Sequence, residues 1–141
     1  MANGVNGASC LLYIGDDYST KTALIGQGDA TLTHNGDGIE INNKSTGGFR
    51  EYLDSTDGNN TTTQSLDIAL QLTFMADAAQ TAEIADVQAK VIKSYIFDFG
   101  TYYYVGKFLP KLNTETATKD TAVTLDITYM SSGAYERKDV P

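Results

Sequence analysis

The 141-residue chain is 41% hydrophobic and 20% charged, with 13 glycines, nine tyrosines and no tryptophan; this composition suits one strand-rich folded domain and points away from disorder or a second domain. A formal charge of −8 argues against nonspecific gripping of nucleic acid, which depends on lysines and arginines displacing counterions from phosphate, yet it suits a wall past which DNA slides without adhering. One cysteine rules out an internal disulfide framework, and no run of about 18 apolar residues offers a membrane span.

Residues 1–8 are small and polar, and a flexible N-terminal arm is expected there. They lack the basic and apolar regions of a secretory signal, so the expected place of synthesis is a cytoplasm. Ser9 to Ile14 and Thr20 to Gly26 read as short strands parted by Gly15, Asp16 and Asp17, and Ala30 to Thr33 resumes after Gly28 and Asp29. The run NGDG at 35–38 is a tight-turn sequence. Ile39 and Ile41 alternate with Glu40 and Asn42, leading into a long polar stretch from 43 to 63, read as a loop. From Ser65, Leu66, Ile68, Leu70, Leu72 and Phe74 fall on one face and Asp67, Ala69, Gln71 and Thr73 on the other, the clearest strand pattern in the chain.

Asp77 followed by Gln80 makes a capping-box start, and Ile84, Val87, Gln88 and Val91 recur at helical spacing, predicting one amphipathic helix over about 78–90. Tyr95 to Phe99 and Tyr102 to Phe108 read as paired strands around Gly100. Leu112 to Lys119 reads as a further strand, and Val123, Leu125, Ile127 and Tyr129 form the apolar face of a last one. The expected class is mainly β: an antiparallel β-sandwich or barrel flanked by one α-helix in a single domain.

Catalytic and metal chemistry finds little footing. Cys10 and His34 are the one possible thiol–base pair, but Cys10 opens an apolar strand and His34 adjoins a glycine-rich turn, so a buried thiol and a solvated imidazole are expected. Two such residues cannot supply a zinc tetrad. Asp54, Asp57 and Gly58, or Asp37 and Glu40, gather oxygens near turns without the EF-hand spacing and read as Asx turns. Gly26, Gln27 and Gly28 open like a dinucleotide loop, but Thr31 replaces the third glycine and a strand follows. Asn59 and Asn60 begin sequons that carry no weight without a secretory signal. Tyr102, Tyr103 and Tyr104 are candidates for a stacking platform, for core packing or for a subunit contact. No catalytic, cofactor or metal residues are assigned.

From Ala23, the string ALIGQGDATLTHNGDGIEINNKSTGGFREYLDS resembles the N-terminal half of phage major tail tube proteins. Asp29 to Leu32, Ile39 to Lys44 and Ser45 to Leu53 are the matching segments, with Phe49 where tryptophan is common. The likeness continues through the alternating strand, the helix and the final strand up to Ser131, Ser132 and Gly133. After Leu53 the run DSTDGNNTTT departs from the proline-glycine turn of many relatives.

The resemblance implies a structural, non-enzymatic virion protein without cofactor. Its copies would form hexameric rings that stack into a tube for DNA ejection. Implied partners are other copies of itself, a tape measure protein in the lumen, tail terminator and baseplate or tip proteins, a sheath protein if the tail is contractile, and genomic DNA passing without tight binding; no membrane is involved. The implied location is the virion tail, after assembly in the host cytoplasm. A contractile injection tube subunit and a monomeric carbohydrate-binding sandwich are the alternatives. Residues 43–63 are expected to be an assembly loop in which Gly47 and Gly48 turn the chain, Phe49 and Tyr52 anchor in a neighbouring subunit, and Lys44, Arg50 and Glu51 complete the contact. Asp67, Glu115 and Asp126, on polar strand faces, are the candidate lumen residues.

Overall fold

The computed structural model describes residues 6–36, 40–41, 51–52 and 64–141. The chain falls into two compact units, residues 1–33 with 66–141 and residues 34–65. In chain order the strands are β1 (Leu11–Ile14), β2 (Thr22–Ala23), β3 (Gln27–Gly36), β4 (Glu40–Ile41), β5 (Glu51–Tyr52), β6 (Gln64–Thr73), β7 (Lys93–Asp98), β8 (Tyr102–Thr116) and β9 (Thr124–Asp139). Among the described residues one α-helix, α1 (Ala78–Gln88), lies between β6 and β7, and a 3-10 turn at Gly7–Ser9 precedes β1.

Seven strands form one sheet in the order β2-β1-β7-β8-β9-β6-β3, while β4 and β5 form a separate antiparallel pair. The ladders joining β2 to β1, β1 to β7, β7 to β8, β8 to β9 and β9 to β6 are all antiparallel. The mainly β class with one helix is therefore as expected. The 3-10 turn at Gly7–Ser9 falls partly inside the segment read as an arm, and it is closed by Ser9 N–H and Cys10 N–H donating to the carbonyls of Asn6 and Gly7.

Local pattern explains the best-formed elements. On β6, Leu66, Ile68 and Leu72 are fully buried and Leu70 nearly so, while Ala69 and Gln71 face solvent. The same ladder aligns Ile68 with Tyr129, Leu70 with Ile127 and Leu72 with Leu125, so the apolar residues of β6 and β9 share one face. Residues from both ends of the sheet join them: Leu12 of β1, Tyr95 and Phe97 of β7, and the half-buried Ala30 and Leu32 of β3 pack in the same core. Each such aliphatic side chain contributes roughly 1.5–3 kcal/mol on burial. The sheet thus curls around its core, and a side chain ties its ends together. Gln27 accepts from Leu12 N–H at 2.7 Å and donates to the Leu12 and Leu24 carbonyls at 2.7 Å, satisfying backbone groups that no strand reaches.

Several expected boundaries move. β3 runs from Gln27 through Asn35 and Gly36, so the segments read as turns on either side of Ala30–Thr33 are partly strand. β8 is one strand of 15 residues, including the stretch from Leu112 that reads as a separate strand. Pro110 does not stop it, because the β7 ladder ends at Phe108 and leaves that side of β8 without a strand partner. β9 continues past Gly133 to Asp139, with Gly133 at φ +92° in a stretch where the ladder skips from Ser131 to Tyr135. Phe74, expected on the buried face of β6, lies beyond the strand end and is exposed.

The helix begins as predicted, with Asp77 accepting from Ala79 and Gln80 N–H. Its buried face, however, is largely polar: Gln80 and Glu83 are as buried as Val87, whereas Val91 is exposed. Gln80 does not turn back to the cap. It accepts from Met75 N–H and donates to the carbonyls of Ile25 and Thr73. Glu83 binds Lys93 Nζ at 2.8 Å and accepts the Tyr95 hydroxyl, and Asp86 binds the same ammonium at 2.8 Å. Burial, and then the hydrogen bond to Glu83, push the Tyr95 hydroxyl far above its ordinary range. Burial opposes charge on Lys93, but its bonds to Asp86 and Glu83 outweigh it and raise its pKa.

Candidate functional site: the open sheet face and free edges

The outward side of the sheet has two halves. Over β1, β7 and β8, the β1–β2 connection folds back as a cover: the Tyr18 ring lies 4.8 Å from that of Tyr103, and its hydroxyl donates to Asp98 Oδ2 at 2.8 Å. That hydrogen bond is the main reason the Tyr18 hydroxyl is pushed up to about 12. Lys21 stands over the Tyr18 ring at 3.6 Å. Ile96, on this side of β7, is consequently as buried as any core residue.

Over β8, β9, β6 and β3, the same side is open among the described residues. Residues paired directly across antiparallel strands share a face, so Asp67 with Met130, Gln71 with Asp126, and Thr128 with Lys111 all project outward. Exposed Asp29, Thr31 and Thr33 extend the surface along β3, where Gly28 lies against Gln71. Side-chain bonds stiffen it: Thr114 Oγ1 donates to Asp126 Oδ2 at 2.8 Å, and Asn113 Nδ2 donates to Thr128 Oγ1 at 2.6 Å. A shallow depression of about 310 Å³ includes Asp29, Gln71, Asn113 and Asp126. The surface is threonine-rich and net acidic, three carboxylates standing against Lys111 and, further along the same side of β8, Lys107.

The structure separates the three candidate lumen residues. Asp67 and Asp126 share the open face. Glu115 does not, because the ladder shifts between Leu112 and Thr114 and aligns Glu115 with inward-facing Leu125. Glu115 instead lies on the helix side, 3.5 Å from Gln88 Nε2. Sequence reading missed Asp29, Lys111, Asn113 and Thr114; the alternation of Asp29, Thr31 and Thr33 along β3 is a signal for the first, whereas the three on β8 reach this face through strand order and the register shift after Leu112.

Two strands, β2 and β3, are the sheet's edges. Near them, a cleft of about 730 Å³ between β1 and β3 is lined by Cys10, Leu11, Gly28, Ala30, Phe97 and Phe99 among others. Cys10 is only half-buried, with its thiol directed at the Asn6 carbonyl, so the expected full burial is corrected. His34 is exposed on β3.

None of the three consecutive tyrosines is exposed. Tyr103 packs beneath Tyr18, and Tyr102 stacks on Phe99 at 5.0 Å, lies edge-on to Tyr104, and carries Arg137 at 4.1 Å. A free aromatic platform for sugars or bases is therefore not formed by them. Among the described residues, no group of three or more His, Cys, Asp or Glu is placed to hold a metal ion, and no helix is long and apolar enough to cross a membrane.

Of the candidate interface residues, Lys44, Gly47, Gly48, Phe49 and Arg50 lie outside the described residues. Asp37, Gly38, Asp54, Asp57, Gly58, Asn59 and Asn60 lie outside them too. Glu51 and Tyr52 form β5, aligned with Ile41 and Glu40 of β4, inside the stretch read as a loop.

A family model described as phage tail tube protein matches residues 4–137. No curated protein sequence matches. Among solved structures, a chain from the tail of an empty gene transfer agent particle with C6 symmetry aligns with a TM-score of 0.75 at 14% identity, covering 94% of this chain and 98% of the other. A chain from the virion of a native gene transfer agent particle aligns with a TM-score of 0.77 at 13% identity, covering 98% of this chain and all of the other. With its curled antiparallel sheet, single helix and match across nearly the whole length, the chain belongs to the phage tail tube protein family and is a structural subunit of a tail tube, a component of the virion.

Proposed function

We propose that copies of this chain close into six-membered rings through their sheet edges, and that the rings stack into a tube whose lumen is walled by the open face of β8, β9, β6 and β3. The observation that carries this reading is the contrast between the two halves of the outward side. One is sealed by the chain's own Tyr18 segment, while the other is left polar, acidic and, among the described residues, uncovered beside β3, an edge strand of the sheet. A lone free edge invites open-ended aggregation; closure of a heterologous contact into a ring removes it. The C6 symmetry of the gene transfer agent tail supports a sixfold ring.

The wall repels DNA. Asp29, Asp67 and Asp126 recur in every copy, so the polyanion passes solvated and finds no lattice of cations on which to release counterions. The role is conduction and scaffolding, without catalysis. The remaining partners follow from a tube: a tape measure protein inside it, terminator and tip or baseplate proteins at its ends, and a sheath outside it in a contractile tail. Residues 43–63 serve as an assembly loop in which Lys44, Gly47, Gly48, Phe49, Arg50, Glu51 and Tyr52 reach a neighbouring subunit.

The test of the lumen assignment is Asp67→Lys with Asp126→Lys, assembled into particles. Ejection is expected to slow at low salt and to recover as salt rises; an unchanged rate at every salt concentration would falsify the lumen assignment. For the loop, Phe49→Ala is expected to abolish or shorten tubes in electron micrographs, and tubes of normal number and length would refute its role.

A further inference from the structure

A tube needs two kinds of contact between copies, one that closes the ring and one that stacks rings. The sheet edges provide the first, and they lie at the sides of the sheet. At one end of its strands, three connections converge. Thr73 N–H donates to the Gly26 carbonyl at 2.7 Å and Phe74 N–H to the Val123 carbonyl at 2.8 Å, which locks the β2–β3 turn, the β6–α1 segment and the β8–β9 turn together.

Each connection exposes large apolar side chains there. Ile25 is 47% exposed, Phe74 42%, Met75 54% and Val123 39%, so four of the six large exposed hydrophobic residues among those described gather at this end. Scattered apolar residues need no explanation; a cluster does. Nor is it a loose end: the buried Gln80 amide bonds both flanks, Met75 N–H at 2.8 Å and the Ile25 carbonyl at 2.9 Å. Gly26, at φ +86°, has no room for a side chain, because a Cβ there would stand 2.4 Å from the Thr73 carbonyl oxygen. The patch is preorganised, which lowers the entropic cost of docking on it.

We infer that this patch of Ile25, Phe74, Met75 and Val123 is the ring-to-ring contact, and that its occupant is a second copy of this chain in the next ring. The inference rests on the ring-and-tube reading above and deepens it. The patch lies at the strand ends, where a contact can run along the tube while the sheet edges close the ring. It is also apolar, unlike the acidic face assigned to the lumen, so burying it against another copy removes it from water without exposing a charged group to a dry interface.

The test is a Phe74→Ser, Met75→Ser double variant beside a Val123→Ser variant, each checked for native circular dichroism and imaged by electron microscopy. The expected result is rings in wild-type number with tubes shortened at least about tenfold. Tubes of wild-type length overturn the inference, and so does loss of rings together with tubes in a folded variant, which would assign the patch to ring closure. If the unaltered chain forms neither rings nor tubes, the ring-and-tube reading itself fails, and this inference with it.

A second measurement leaves the patch intact in one of its two samples. Dilute peroxide is expected to oxidise Met75 about tenfold more slowly in wild-type tubes than in rings of the Val123→Ser variant, since sulfoxide formation follows exposure of the thioether. Equal rates overturn the assignment.

Discussion

Ile68 and Gln71 stand three residues apart on β6 and lead opposite lives. Ile68 is fully buried against the β9 core face, aligned with Tyr129, while Gln71 is exposed on the open face, aligned with Asp126. One side of the same ladder holds the subunit together, and the other takes no part in the core. On the proposed reading, the working surface is the side of the sheet that the fold does not use for its core.

The contrast is broken most sharply by substitution on the two faces. Ile68→Ala is expected to cost about 2–5 kcal/mol, because it opens a cavity in a close-packed layer. Gln71→Lys is expected to change stability by no more than about 0.5 kcal/mol, as surface changes do. Denaturant titration of both checks this. A costly Gln71→Lys would mean the open face is structural after all.

Next in size is the helix anchor. Lys93→Met removes the cation from Glu83, whose side chain is fully buried, and a stranded buried carboxylate typically costs about 3 kcal/mol or more. Loss of that order in chemical denaturation is expected, with Glu83→Gln combined with Lys93→Met recovering part of it. Full stability of the single variant would show that the helix is held by Val87, its apolar neighbours and the Gln80 bonds without help from Lys93.

The smallest effect concerns the Tyr18 cover. Its hydroxyl titrates at about 12 in the folded chain, against an ordinary 10.0, chiefly because of its bond to Asp98. The folded state therefore favours the protonated phenol; that contribution is complete below pH 10 and disappears as pH rises through 12. Tyr18→Phe is expected to lower thermal stability modestly at neutral pH, where the hydroxyl's bond to Asp98 is intact, and to flatten the alkaline fall in this window. An identical alkaline profile would remove the cover from the account.

Much of this division was legible in the residues. The alternation from Leu66 to Leu72, the Tyr95 and Tyr102 strands around Gly100, and the Asp77 cap each follow from local periodicity or a local hydrogen bond, so they need no tertiary knowledge. What escaped is what depends on register. The shift between Leu112 and Thr114 reverses the facing of Glu115, and a period-two reading has no means of seeing an extra residue.

The polar seam of the helix escaped for a related reason. Gln80 reads as the end of a capping box and Glu83 stands outside the apolar spacing of Ile84, Val87 and Val91, yet both are buried because distant partners, Ile25, Lys93 and Tyr95, meet them there. For the open face, sequence named Asp67 and Asp126 but not Asp29 or Lys111, since strand order alone brings β3 and β8 to that surface.

The central claim is that the uncovered half of the sheet walls the lumen. A helical reconstruction of tubes assembled from this chain tests it most directly. The account predicts sixfold rings with Asp29, Asp67, Gln71 and Asp126 facing the axis and the edges of β2 and β3 engaged by neighbouring copies. A reconstruction that places those residues on the outer wall, or buries them between subunits, would contradict it.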